Sequence, residues 1–361
     1  MAAVAGGVTS FMEMPNTIPN AITIEELEKK YNIGKQNSFG NYSFYLGASN
    51  DNIEEVKRVD RNNICGVKIF MGSSTGNMLV DREKALNDIF KHSEVIITTH
   101  CEDEFTIQEN LKNALEKYGD DIPFNQHHII RSREACYKSS SHAISLAKEH
   151  NAKLHVLHIS TKEELELFQK IPLKDKNITC EACLHHMWFS DSDYDDLGSL
   201  IKWNPAIKTS DDREAIINAV NEGVIDVIAT DHAPHTKEEK SGKYINAPSG
   251  GPLIQYSLPV LLEMNRKNKI SIEKIVEKTS HSVAELFQIK ERGYIREGYF
   301  ADITVFDSNR IIDKATFENP HQYAIGVNFV LVNGIIVVEN GIHNGKRPGR
   351  ILYGPGYRGN K

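Results

Sequence analysis

Long hydrophobic runs are missing from this chain of 361 residues, and so are a basic excess and a dense set of cysteines. No apolar stretch approaches the roughly 20 residues that a membrane helix needs, so no membrane association is expected. Lys and Arg total 42 against 49 Asp and Glu, a formal net charge of -7. Nucleic-acid binding relies on clustered cations to neutralise phosphates, so this balance points instead to a small-molecule partner. The five cysteines, Cys65, Cys101, Cys136, Cys180 and Cys183, are odd in number and unevenly placed. That speaks against a disulfide framework and fits a reducing cytoplasm. Cys180 and Cys183 form a C-x-x-C, but the flanking residues read as a strand, where an odd separation sends side chains to opposite faces. They read as packing residues, not as a zinc or redox pair. Met1 runs directly into small residues with no basic segment before an apolar core, so no signal peptide is expected.

What the chain does have is a regular series of short apolar runs. Thr9 to Met14, Ser43 to Ala48, Gly66 to Met71, Val95 to Cys101, Lys153 to Ser160, Asn177 to Leu184 and Val224 to Asp231 read as strands. Amphipathic stretches lie between them: Ile24 to Ile33, Asp81 to Phe90, Ser139 to His150, Lys162 to Gln169 and Asp211 to Asn221. Strands alternating with helices mean a parallel α/β sheet. Seven such units are one short of a (β/α)8 TIM-like barrel, and Ala2 to Gly7 reads as the tail of a helix with a glycine stop. The expected fold is therefore a barrel lacking its first strand, with an open doubly wound sheet as the alternative. After about residue 290 the texture changes to turns and alternating strands, with Asn333-Gly334 as a hairpin signal. The expected division is a barrel over 1–290 and a small C-terminal β appendage, a sandwich remnant with an irregular tail from His343, over 291–361.

Chemistry in such sheets gathers at the carboxyl ends of the strands. The last strand ends in Asp231-His232-Ala233-Pro234-His235, an acid and two histidines after a buried apolar run. Lys68 sits inside Gly66-Val67-Lys68-Ile69-Phe70-Met71, where a buried ammonium needs pairing, modification or deprotonation; a lysine reaching to water from an edge strand is the equal alternative. His100 ends the fourth strand. His155 and His158 lie three apart on the fifth, so only one faces the interior, and His158 is nearer the strand end. Three strand ends with His100, His158 and Asp231, and Lys68 on a fourth, suit a metal such as Zn, whose open position lowers the pKa of bound water to around 7. That implies hydrolysis, or its reverse, at a carbonyl.

With these residues assembled, the chain resembles the amidohydrolase superfamily and, within it, dihydroorotase. The resemblance rests on Gly6 to Ser10, Met14-Pro15-Asn16-Thr17, Gly66-Val67-Lys68, His100-Cys101-Glu102-Asp103, His155 to Thr161, Glu181 to His186, Asn204-Pro205, Asp231 to Lys240, Ala247-Pro248-Ser249-Gly250, and Arg292 to Gly298 before Ala301-Asp302. Met-Pro-Asn-Thr and Asp-His-Ala-Pro-His are the specific blocks. The resemblance implies the reversible zinc-dependent cyclisation of N-carbamoyl-L-aspartate to L-dihydroorotate in pyrimidine synthesis. It implies that Lys68 is carboxylated and bridges two zinc ions, that His100 and His158 hold one, and that Asp231 ligates the other and shuttles a proton. It implies that Asn16, Asn204 and His235 bind substrate, with backbone groups from Ala247 to Gly250 closing over it, in a cytoplasmic enzyme for which a homodimer is the assembly considered.

One departure stands beside the match. The family carries a His-x-His pair followed by an Arg at its first strand, and residues 1–361 contain no such block. The chain therefore reads as an N-terminally truncated member with one metal position largely retained, and little activity is expected of it. The rivals are a dihydropyrimidinase or allantoinase acting on another cyclic amide, and a catalytically dead dihydroorotase-like scaffold.

Overall fold

The computed structural model describes residues 1–72, 77–312, 314 and 324–354. Seven strands form one sheet: β1 (Ser10–Glu13), β2 (Asn41–Gly47), β3 (Gly66–Phe70), β4 (Ile97–His100), β5 (Leu154–Val156), β6 (Ile178–Cys183) and β7 (Val227–Ala229). Neighbours in sequence are neighbours in space, and every pair is parallel. An open doubly wound sheet would reverse its order at a switch point. Here the order runs unbroken from β1 to β7, as in a barrel wall, with β1 and β7 each paired on one side only among the described residues. All residues of β3, β4 and β5 are buried, because helices cover one face and the sheet's own inward side chains fill the other.

The helical crossovers follow the sequence pattern with instructive exceptions. Helix Arg133–His150 starts six residues before the expected Ser139, because the Ser132 side chain accepts the Ala135 N–H and caps it there. Helix Glu104–Tyr118 was not anticipated; it buries only Ile107 and Ala114, too thin an apolar stripe to stand out, and Asp103 caps it. The stretch expected as Lys162 to Gln169 is helical only over Lys162–Leu165, opened by a Thr161/Glu164 capping box. At the amino end the expected helix tail is present as Ala2–Ala5, stopped at Gly6 and Gly7.

A second sheet is antiparallel, in the order β11-β10-β9-β8: β8 (Ile303–Phe306), β9 (Val327–Val332), β10 (Ile335–Glu339) and β11 (Ile342–His343). Among the described residues it is a single four-stranded sheet. Asn333 and Gly334 turn its central hairpin with φ of 52° and 77°, the positive values that a two-residue turn demands. The two sheets are tied by side chains. Asn41 Nδ2 donates to Asp302 (3.0 Å), Asn333 Nδ2 donates to Asn41 Oδ1 (2.7 Å), and Arg292 bonds both Asp302 and Asn333. The segment after His343 is less irregular than expected, since Tyr42 N donates to Arg350 O (3.0 Å) and Leu352 N to Tyr42 O (2.8 Å), laying 350–352 along the start of β2. Residues 355–361 of that tail lie outside the described residues. No described helix is long and apolar enough to cross a membrane.

Candidate metal centre

Lys68 lies at the middle of β3, between β2 and β4, and is 2 % exposed. An edge-strand lysine reaching to water is thereby excluded. Its Nζ stands 4.3 Å from the Phe70 ring centroid, and no carboxylate among the described residues is within ion-pair distance. Burial pulls its pKa down to about 7, against the attraction of Asp231 and weaker neighbours. A substantial fraction is thus a free amine at neutral pH.

His100 ends β4, opposite Phe70 of β3 in register. Its Nε2 is 2.8 Å from Glu102 Oε2, and its Nδ1 is 3.1 Å from His158 Nε2. His158 follows β5 at φ 40°, a left-handed conformation that costs a non-glycine residue on the order of 1–3 kcal/mol and is found disproportionately at functional sites. Its N–H reaches Glu181 Oε1 at 3.3 Å. Because β5 ends at Val156, strand alternation does not set the direction of His158; the left-handed turn does. His155 is fully buried with both ring nitrogens engaged, by Thr179 Oγ1 (2.9 Å) and Glu181 Oε2 (3.1 Å), which leaves it no free ligating nitrogen. Burial lowers the pKa of His100, against the opposing pull of Glu102, and burial together with the neighbouring His100 and Lys68 lowers that of His158, which favours the neutral imidazoles.

Asp231 follows β7, also left-handed at φ 45°. Burial and then the Glu181 carboxylate push its pKa up to about 6, partly offset by Lys68. His232 serves the backbone: its Nδ1 accepts the N–H groups of Leu253 (3.0 Å) and Ile254 (3.2 Å).

The donor chemistry suits a metal: His100 Nδ1 and His158 Nε2 lie 3.1 Å apart, and neutral imidazole nitrogens are zinc ligands. Yet among the described residues no group of three or more His, Cys, Asp or Glu side chains is placed to hold an ion. A third donor on the His100 and His158 side could come from Lys68, whose pKa is lowered to about 7 and whose neutral amine would ligate through its lone pair or, once carboxylated, through oxygen. The five cysteines, all buried thiols, stand outside this set.

The expected substrate contacts are more scattered. Among the described residues, exposed Asn16 makes no side-chain hydrogen bond and Asn204 holds a buried Oδ1 with no partner. His235 Nε2 lies 3.2 Å from Ser249 O. The backbone groups of Ala247 and Gly250 are already engaged: Ala247 N–H with Lys243 O, Ala247 O with Lys202 Nζ (2.6 Å), Gly250 N–H with Lys202 O, Gly250 O with Lys240 Nζ (2.8 Å). Lys202 and Lys240 are buried ammonium groups, each depressed to about 8 by burial, that staple the 244–250 loop through its carbonyls. Neither these lysines nor Glu102 and Arg131 have a role legible in the sequence, because the lysines end on backbone carbonyls and Arg131 meets Glu102 across 29 residues.

Known proteins resemble this chain over most of its length. The family model described as "Amidohydrolase family" matches residues 1–347. A dihydroorotase of Methanosphaera stadtmanae is 31% identical, covering 95% of this chain and 80% of its own length. An allantoinase of Streptomyces avermitilis is 26% identical, covering 89% and 72%. The solved L-hydantoinase (dihydropyrimidinase) from Arthrobacter aurescens shares the fold with a TM-score of 0.87 at 24% identity, covering 98% of this chain and 82% of its own. The chain belongs to the amidohydrolase family and is a metal-dependent hydrolase of cyclic amides.

Proposed function

We propose that this chain is a dihydroorotase, which interconverts N-carbamoyl-L-aspartate and L-dihydroorotate in pyrimidine synthesis with zinc as its metal. The observation that carries the reading is the convergence of His100 Nδ1 and His158 Nε2 to 3.1 Å beside buried Lys68, which has no ion-pair partner among the described residues. His100, His158 and carboxylated Lys68 would hold one zinc ion, and Lys68 would bridge to a second on Asp231. When bound, zinc supplies Lewis-acid polarisation of a carbonyl and of water.

The chain's own groups do the rest. Asp231, raised toward neutrality by burial and Glu181, is suited to accept a proton near pH 7 and return it to the ring nitrogen as the amide bond breaks. Asn204 offers its unpartnered Oδ1 to a ring N–H, and Asn16 and His235 contact the substrate carboxylate. The loop carrying Ala247 and Gly250 acts as a wall whose lysine staples add positive charge favourable to that carboxylate. The division at residues 1–290 and 291–361 and a cytoplasmic location are part of the same proposal.

Dihydroorotase is favoured over its neighbours by the Met14 to Thr17 and Asp231 to His235 blocks, because dihydropyrimidine rings lack the carboxylate that Asn16 and His235 would bind. The test is turnover of dihydroorotate, N-carbamoyl-aspartate, dihydrouracil and allantoin by the zinc-loaded chain. With no His-x-His block in residues 1–361, slow turnover is expected, so the ranking is the readout. Preference for the carboxylated substrates supports the reading. Preference for dihydrouracil or allantoin, or a metal-loaded chain inert to all four, overturns it.

A further inference from the structure

His100 and His155 are both buried strand histidines paired with a glutamate through Nε2, and they differ in what the other ring nitrogen faces. His155 spends both nitrogens on Thr179 and Glu181. His100 spends only Nε2, on Glu102, and turns Nδ1 toward His158. The difference lies at Nδ1, which meets a hydroxyl in His155 and a second imidazole in His100, and Glu102 sets which proton form His100 presents there. The Glu102 side chain is wholly buried and is gripped by Arg131, whose Nε donates to Oε1 at 3.0 Å and to Oε2 at 3.1 Å, with a further short contact from Nη2. A carboxylate held in this way only accepts, so the His100 nitrogen facing it must carry the proton, and the lone pair falls on Nδ1.

A buried ion pair of this kind is weak evidence of stability, because desolvation offsets its Coulombic gain. The surrounding structure nevertheless fixes it on several sides. The short helix His127–Ile130 leads straight into Arg131 and is pinned by His127, which bonds the Tyr244 hydroxyl (2.8 Å) and Trp203 O (2.7 Å). On the other flank, Gly72 lies so close that a Cβ there would collide with the Glu102 carbonyl oxygen. Arg131 thus holds the carboxylate against the imidazole, while Gly72 packs on the Glu102 backbone and His127 anchors the helix that carries Arg131.

We propose that Glu102, braced by Arg131, is a positioning residue for metal capture: it selects the His100 tautomer and ring orientation that aim Nδ1 at the ion. Carboxylate partners of ligating histidines elsewhere are worth about 10- to 100-fold in metal affinity. The inference rests on the metal-site reading above, and the experiment separates the two.

Zinc affinity is measured by chelator competition on the full chain, beside the His100 tautomer from long-range nitrogen–proton NMR of the metal-free protein and the thermal midpoint of each variant. Glu102→Gln keeps an acceptor and should stay within a few-fold of wild type. Glu102→Met with Arg131→Met removes the pair without stranding a buried charge; it should remain folded yet bind zinc about 10- to 100-fold more weakly, with His100 no longer held as the Nε2–H form. His155→Gln should leave zinc affinity unchanged. Wild-type affinity in a folded double variant, or an Nδ1–H tautomer of His100 in the wild type, overturns the positioning role alone. Unchanged affinity in His100→Ala and His158→Ala overturns the metal site itself.

Discussion

At the scale of single residues, the proposed site brings in groups whose usual charge is suppressed. Lys68 needs a proton removed to become a ligand, and Asp231 needs one removed to act as a carboxylate. Both pKa values have been moved toward neutrality, Lys68 down to about 7 and Asp231 up to about 6. Protons and metal compete for the same atoms, so zinc affinity should climb as pH rises through 6 and 7, with net proton release. Calorimetry in buffers of different ionisation enthalpy measures that release; pH-independent affinity would contradict it. Carboxylation requires the free amine, so the mass of one CO2 should appear on the Lys68 peptide under native conditions, rise with bicarbonate and with pH through about 7, and vanish in Lys68→Met. In the metal-free protein linkage sets two opposite signs. Between about 7 and 10.5 the unfolded chain binds the proton that buried Lys68 has lost, so stability rises with pH; between 3.8 and about 6 the folded chain keeps the Asp231 proton, so stability falls. Urea melts of Lys68→Met and Asp231→Asn should each flatten one of those slopes.

At the scale of elements, strand ends aim the side chains and loops hold them. Gly66 opens β3 at a close approach, where a Cβ would stand 2.7 Å from Ile96 O and 2.8 Å from the Tyr45 ring. Gly66→Ala should therefore force β3 away from its neighbours, lose about 1–3 kcal/mol in urea unfolding and weaken zinc binding, since Lys68 and the His100 register move with it. Loss of stability without loss of zinc affinity would show that the strand does not set the site. Much of this scale was legible in the sequence. The seven apolar runs, their alternation with helices and the residues at their carboxyl ends follow from periodicities that burial imposes locally. Three things were not. The left-handed backbone at His158 and Asp231 is imposed by the fold on residues with no sequence mark for it. Glu102 meets Arg131 across 29 residues, a pairing that only the folded sheet creates. The Lys202 and Lys240 staples end on backbone carbonyls, which every sequence has and none advertises.

At the scale of the whole molecule, the two sheets are coupled by a small polar knot. Arg292 and Asp302 are buried together, and Asn333 and Asn41 complete their hydrogen bonds across the boundary between the sheets. Asp302→Ala leaves the Arg292 charge buried without its partner and should cost about 3–5 kcal/mol, while Asp302→Asn should cost less. Denaturation followed separately by tryptophan fluorescence, from Trp188 and Trp203 on the barrel side, and by far-ultraviolet circular dichroism should lose coincidence in Asp302→Ala. Coincident, undiminished transitions would show that the knot is ornamental. The change of texture near residue 290 made the second sheet visible in the sequence, but not this knot or the return of residues 350–352 to β2, because both depend on contacts between distant parts of the chain.

The most direct measurement is zinc binding to the metal-free chain in the presence of bicarbonate, with His100→Ala, His158→Ala and Lys68→Met alongside. One tightly bound ion per chain, lost in each of the three variants and retained in His155→Gln, is the result expected from the convergence of His100, His158 and Lys68. Zinc bound equally well by wild type and all three variants, or not bound at all, would contradict it.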